Sequence, residues 1–410
     1  MNDMSAIPAS LRSAMKRLSI AVVIGTLAAA YLATSRPAVS QDSGGVAEPP
    51  AVPPAINDGR SHAGPIQNRS NFMGAKACIE CHRSEYVAWM GTVHFDGGGI
   101  NRLDTSKKNS VGAKYKAAHG NLQVCLDCHV PPREVNHGQL QLVSGTSCES
   151  CHGAAGGEHG WLNRHSVYGP NVTRMFEESP QHLADRQAFC DNAGMIRSGR
   201  VYEIAKNCYS CHIMGNEQLV AEDVGHRIGN NLFDLIPWIQ GEVRHNFHMD
   251  QHNNADMPTI VQTRTGQSKI ERHRVMIVAA QMAIIEVCLR NLAAVSDEEK
   301  LEEGYADGWK DRIDEAKDVV EEISEILEEP AEDSGIAPLE DSDLRAVVEA
   351  VDALGRRFRD LTRENAASTA DAVASHANSF VSRHNGSLLK ALDKDFLADP
   401  PEPKGRALEP

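Results

Sequence analysis

Along the last third of the chain, apolar side chains recur at the three- and four-residue spacing of a helix face. Leu301, Tyr305, Trp309, Ile313, Ala316, Val320, Ile323 and Leu327 form one such stripe. Glu328-Glu329-Pro330 ends it, because proline cannot continue a helix. A second stripe, Leu344, Val347, Val351, Leu354, Phe358 and Leu361, follows Asp341-Ser342-Asp343, a cluster of good N-cap residues. Ahead of both, Val275 to Val295 is apolar except for Gln281, Glu286, Arg290 and Asn291. A membrane span rarely carries Glu and Arg at such depths, so this run predicts a buried helix of a bundle. A weaker helix is predicted from Ala366 to about His384. Together these elements predict a three- or four-helix bundle over residues 269–397.

Upstream the pattern changes. Arg12, Lys16 and Arg17 precede the apolar run Leu18 to Leu32, and Ala38-Val39-Ser40 offers small residues for cleavage before Gln41. Residues 1–40 therefore read as an export signal, or as an anchor if uncleaved, with the body of the protein outside the cytoplasm, in the periplasm for instance. Residues 41–71 are rich in Pro, Gly and Ser and read as a flexible linker. Residues 72–268 carry few aromatic or branched apolar side chains, too few for an ordinary core. The fold class expected is mainly α: a loop-rich domain with little β, then the helical bundle. The tail 398–410 is expected to be disordered.

Charge and composition sharpen this division. The net charge is -15 over 410 residues, yet from residue 291 onward there are thirty Asp/Glu against fourteen Lys/Arg, so the acidity belongs to the bundle. Nothing in this balance suggests nucleic-acid binding. An acidic exterior is usually a solvated face; it could also dock a basic redox partner or form a homo-oligomer interface. Histidine is skewed the other way: fifteen of eighteen lie between His62 and His252, together with nine of the ten cysteines. Such co-concentration points to metal or cofactor ligation.

The ligands are arranged in a repeat. "CIECH", "CLDCH", "CESCH" and "CYSCH" place Cys78, Cys81 and His82; Cys125, Cys128 and His129; Cys148, Cys151 and His152; and Cys208, Cys211 and His212 in one pattern. A lone Cys-x-x-Cys fits half a zinc site, a redox dithiol or a disulfide. Four pairs, each followed by histidine, fit c-type haem attachment, with thiols for the two vinyl groups and histidine as the proximal iron ligand. Four covalent haem c groups would also supply the apolar volume that residues 72–268 lack. Among the other histidines, His226 in "VGHRIGN" could close the second haem or the fourth, and His119 could close the second. His137, His165, His182, His248 and His252 read as surface or structural residues. Cys190 and Cys288 read as small buried residues.

"CIECHRSEYVAWMGTVHF", "CLDCHV", "TSCESCHGAAGGEH", and "CYSCHIMGNE" followed by "FDLIPWIQGEVRH" resemble the tetrahaem cytochrome c-554 family over about Gly74 to His252. The resemblance implies crossed axial ligands. His94 would ligate the third haem, His159 the first, and His245 the fourth, while the second would be five-coordinate. It also implies a carrier of electrons between redox partner proteins, in respiratory or nitrogen-compound metabolism. The alternative is an enzyme acting on nitric oxide, nitrite or hydroxylamine at the five-coordinate haem.

Overall fold

The long apolar run does form a helix, and it begins earlier than the run itself. In the computed structural model the helix spans Lys269–Ala293, because Ser268 and Glu271 close a capping box: the Ser268 hydroxyl accepts from the Glu271 amide, and the Glu271 carboxylate accepts from the Ser268 amide at 2.7 Å. The structure describes residues 71–96, 105, 107–129, 132–135, 139–142, 145–174, 177–229, 235–241, 267–332 and 334–397. The N-terminal segment, the linker before Asn71, His245 and the tail lie outside the described residues.

In chain order the main elements are α1 (Arg83–Met90), α2 (Val111–His119), α3 (Gln123–His129), β1 (Pro132–Val135), β2 (Gln139–Leu142), α4 (Cys148–His152), α5 (Pro180–Asn192), α6 (Val201–His212), α7 (Lys269–Ala293), α8 (Gly304–Glu328), α9 (Ser342–Asp352) and α10 (Arg363–Arg383). The fold is α-helical with a C-terminal bundle. The little β among the described residues is one antiparallel hairpin, β1 with β2, in the register Pro132 to Leu142.

In the bundle, α7 packs against α8 and α10, and α9 bridges α8 and α10. It is buried nearly all round, as a helix without a polar face must be. Helix α8 stops at Glu328, before Pro330, and buries Trp309, Ile313, Ala316, Val320, Ile323 and Leu327. Asp341 caps α9, its carboxylate accepting from the Asp343 amide at 2.9 Å and the Leu344 amide at 3.2 Å. The stripe read as running to Leu361 breaks after Asp352: Gly355 takes φ 80°, and a short 3-10 turn, Arg356–Phe358, returns Phe358 to the core.

The bundle core continues into the cysteine-rich region. One cluster of buried side chains includes Val201, Tyr202, Ala205 and Tyr209 of α6 together with Val275 through Leu292 of α7. Helix α6 carries the fourth motif, so α7 is the wall on which that motif is mounted. Two polar ties fix the contact. The Trp309 indole donates to the Met214 carbonyl at 2.9 Å. Glu286, fully buried, accepts from Tyr202, from Lys206 at 2.7 Å and from Arg290 at 2.6 Å.

Candidate haem centres

Each repeat sits in a different local frame. In the first, a 3-10 turn leads into Cys78, the His82 amide bonds the Cys78 carbonyl at 2.9 Å, and His82 caps α1. The third repeat is α4 itself, opened by a capping box between Ser147 and Ser150. The fourth ends α6, and the second ends α3.

The structure brings the four together. Cys78 lies in hydrogen-bonding contact with Cys148, which joins the first repeat to the third. Cys211 contacts Cys128, joining the fourth to the second, and Cys151 neighbours Cys208, joining the third to the fourth. The order in space is therefore one, three, four, two. The shared hydrogen bond moves Cys78 up and Cys148 down from the usual thiol range. Burial pushes the Cys151 thiol up to about 11.

Side chains outside the repeats fasten this arrangement. Glu149, the residue after Cys148, is completely buried. Its carboxylate accepts from the amides of Met73 at 2.9 Å, Gly74 at 2.7 Å and Ala155 at 2.8 Å, pinning the strand of chain before the first repeat onto the third. The glycine-rich loop lies on the same segment: the Gly156 amide donates to the Asn71 carbonyl at 2.8 Å, and a Cβ there would collide with Met73. The Trp89 indole donates to the Thr146 carbonyl at 2.8 Å, and the Thr146 hydroxyl donates to the Cys128 carbonyl at 2.8 Å. Asn207 donates to the Ser150 and Cys151 carbonyls at 2.9 and 3.2 Å, tying α6 to α4. The motif pattern reveals none of these ties, because Glu149 stands at an unspecified position of its repeat and Asn207 just outside the fourth.

The histidines fall into distinct surroundings. His152 donates from Nδ1 to the Ile196 carbonyl at 2.7 Å; a carbonyl only accepts, so Nε2 keeps its lone pair, the form a metal-bound imidazole needs. His226 does the same with the Arg227 carbonyl at 2.7 Å. His226 also lines a cleft of about 220 Å³ with His129, Cys125, Cys128, Val111, Val124, Met214 and Leu219. Apolar walls, two thiols and two imidazoles are the groups that a covalently tethered haem would use, so the residues fit a haem. His94 lies beside His212, ring centroids 6.3 Å apart and planes at 82°. Burial, with His94 close by, pushes His212 down to about 4, which keeps it neutral. His82 meets His165 end to end, their Nε2 atoms 3.4 Å apart and their ring planes inclined by 28°. His159 is exposed, and His119 is exposed beside the Tyr115 ring. His182 pairs with Glu178 at 2.7 Å, a carboxylate that also holds Arg186. Cys190 and Cys288 are both buried and unpaired.

Thiols and imidazoles grouped in this way are those that covalently bound haem c would use, the chemistry of a c-type cytochrome. More particularly, residues 77–153, which hold the first three repeats, match the family model described as cytochrome c554 and c-prime. No curated protein and no solved structure matches the chain.

Proposed function

We propose that the chain is an exported tetrahaem cytochrome that carries electrons between redox partner proteins, in respiratory or nitrogen-compound metabolism. The carrying observation is the spatial order of the repeats. The first repeat adjoins the third through Cys78 and Cys148, Asn207 ties the third to the fourth, and the fourth adjoins the second through Cys211 and Cys128, so groups tethered at Cys78/Cys81, Cys148/Cys151, Cys208/Cys211 and Cys125/Cys128 would form one continuous series. Haem c supplies one-electron redox chemistry when bound. The chain's part is to tether it, orient His82, His152, His212 and His129 toward iron, and exclude water with apolar walls. The apolar run Leu18 to Leu32 behind Arg12, Lys16 and Arg17, read as an export signal or anchor, supports an extracytoplasmic location, where such haems are attached. The acidic bundle supports a basic partner, whose docking would weaken with salt.

The alternative, chemistry on a small nitrogen species, requires an open iron. The cleft at the second repeat is its best seat, yet His226 lines that cleft together with His129. The test is direct. Full-length protein matured with the c-type haem machinery should show four haems per chain by pyridine haemochrome and a mass equal to the processed chain plus four haems. Three or fewer, with all eight motif thiols intact, sinks the tetrahaem reading. Low-spin spectra with no nitric oxide binding support the carrier; one high-spin haem that binds nitric oxide supports the enzyme.

A further inference from the structure

We infer that His165 is the second axial ligand of the haem tethered at Cys78 and Cys81, opposite His82; this rests on the haem reading above. The Nε2 atoms of His82 and His165 face each other at 3.4 Å, with ring centroids 5.6 Å apart and planes inclined by 28°. Metal–imidazole bonds run about 2.0–2.1 Å in zinc sites, so one ion between two opposed imidazoles needs about 4 Å. The observed gap is short of that by about 0.6–0.8 Å, a small outward movement of the two rings.

His165 is held in place. It ends the turn Leu162–His165, with its amide bonded to the Trp161 carbonyl at 3.0 Å and its ring edge-on to the Trp161 indole. Its carbonyl accepts from Arg186 at 2.6 Å, and Arg186 is locked by two hydrogen bonds to Glu178 at 2.7 and 2.6 Å. Glu178 and Arg186 are both buried, and a bidentate pair of this kind fixes orientation as well as position. Trp161 is anchored in turn through its indole to the Gly153 carbonyl at 3.2 Å, one residue past the third repeat. His159, which the family resemblance assigns to this iron, is exposed on the loop whose Gly157 and Glu158 carbonyls Asn163 caps. The simplest competing account of the pair is a hydrogen bond between two imidazoles that ligate nothing.

The experiment uses full-length, haem-loaded protein and the variants H165A, H159A and H165M, read by haem content, electron paramagnetic resonance and cyanide binding. With four haems retained, H165A should convert one low-spin haem to a high-spin, cyanide-binding one. That signal should disappear when Cys78 and Cys81 are also replaced by serine, and H159A should stay low-spin. H165M should keep the haem low-spin and raise one reduction potential, because methionine in place of histidine raises it. An H165A protein that holds four low-spin haems, or an H159A protein that gains the high-spin signal, overturns the assignment and leaves the tetrahaem reading intact. If H165A does not accumulate, an H165M protein with unchanged potentials overturns it alone. A chain with His165 intact whose haem count is unaffected by replacing Cys78 and Cys81 with serine overturns the haem reading instead.

Discussion

The second cleft turns on one imidazole. His226 donates Nδ1–H to its neighbour's carbonyl and lines the cavity it shares with His129. Removing it should therefore open an iron. H226A is expected to gain one high-spin haem and bind nitric oxide or cyanide, whereas H119A, at an exposed position beside Tyr115, should change neither signal. An H226A protein with unaltered spectra would show that the second iron takes its ligand elsewhere. Glu149 is the residue-scale counterpart on the structural side. Charge-assisted hydrogen bonds contribute about 1.5–3 kcal/mol each, and Glu149 receives them from three amides in a fully buried setting. Losing the carboxylate in E149A leaves those amides without an acceptor, so a drop of about 3 kcal/mol or more in stability is expected from denaturant titration. A change under about 1 kcal/mol would mean that water replaces the carboxylate without loss.

At the scale of elements, the bundle was legible because each helix wrote its own ends. Pro330 marked the end of α8, and the Asp341 cluster marked the start of α9. The start of α7 was missed by six residues: Ser268 and Glu271 are an ordinary capping box, but the apolar run drew attention to Val275. Asp341 also carries a consequence for acid stability. Burial alone would raise its pKa, but hydrogen bonds from His384 and from the Leu344 amide, with the Arg383 charge, outweigh burial and hold it below the usual carboxylate range. Asp343 is lowered in the same manner by His376 and Arg383, again against burial. Because both folded-state values are depressed, their stabilisation is present above the unfolded value of 3.8 and is lost as pH falls below it through the folded values. Melting temperature should consequently fall steeply below about pH 4. D341N should flatten that fall while lowering stability at pH 7 by about 1–2 kcal/mol, because a neutral amide replaces the carboxylate that holds His384 and Arg383. An unchanged acid limb in D341N would assign the effect to other carboxylates.

For the molecule as a whole, the change of composition near residue 269 was plain in the sequence, but its meaning was not. Cysteine and histidine spacing marks the proposed attachment points in four short strings, since covalent attachment would dictate those positions. Which repeats would adjoin depended on Glu149, Asn207, Trp89 and Thr146, whose partners are 18 to 76 residues away and leave no periodic trace. The same holds for α6 and α7. Tyr202 and Lys206 reach Glu286 across eighty or more residues, so the fourth attachment helix depends on the bundle for its core. Breaking a buried, hydrogen-bonded charge by removing one partner costs about 3–5 kcal/mol, because the remaining groups stay buried and unpaired. E286A removes the acceptor of Tyr202, Lys206 and Arg290 together. If the bundle and the fourth repeat form one cooperative unit, E286A should shift the loss of helical circular dichroism and the loss of the Soret band to lower temperature by the same amount. Were the bundle merely tethered alongside, the helical signal would move while the Soret band stayed where it is in the wild type. The continuous core from Tyr202 to Leu292 argues for the coincident shift.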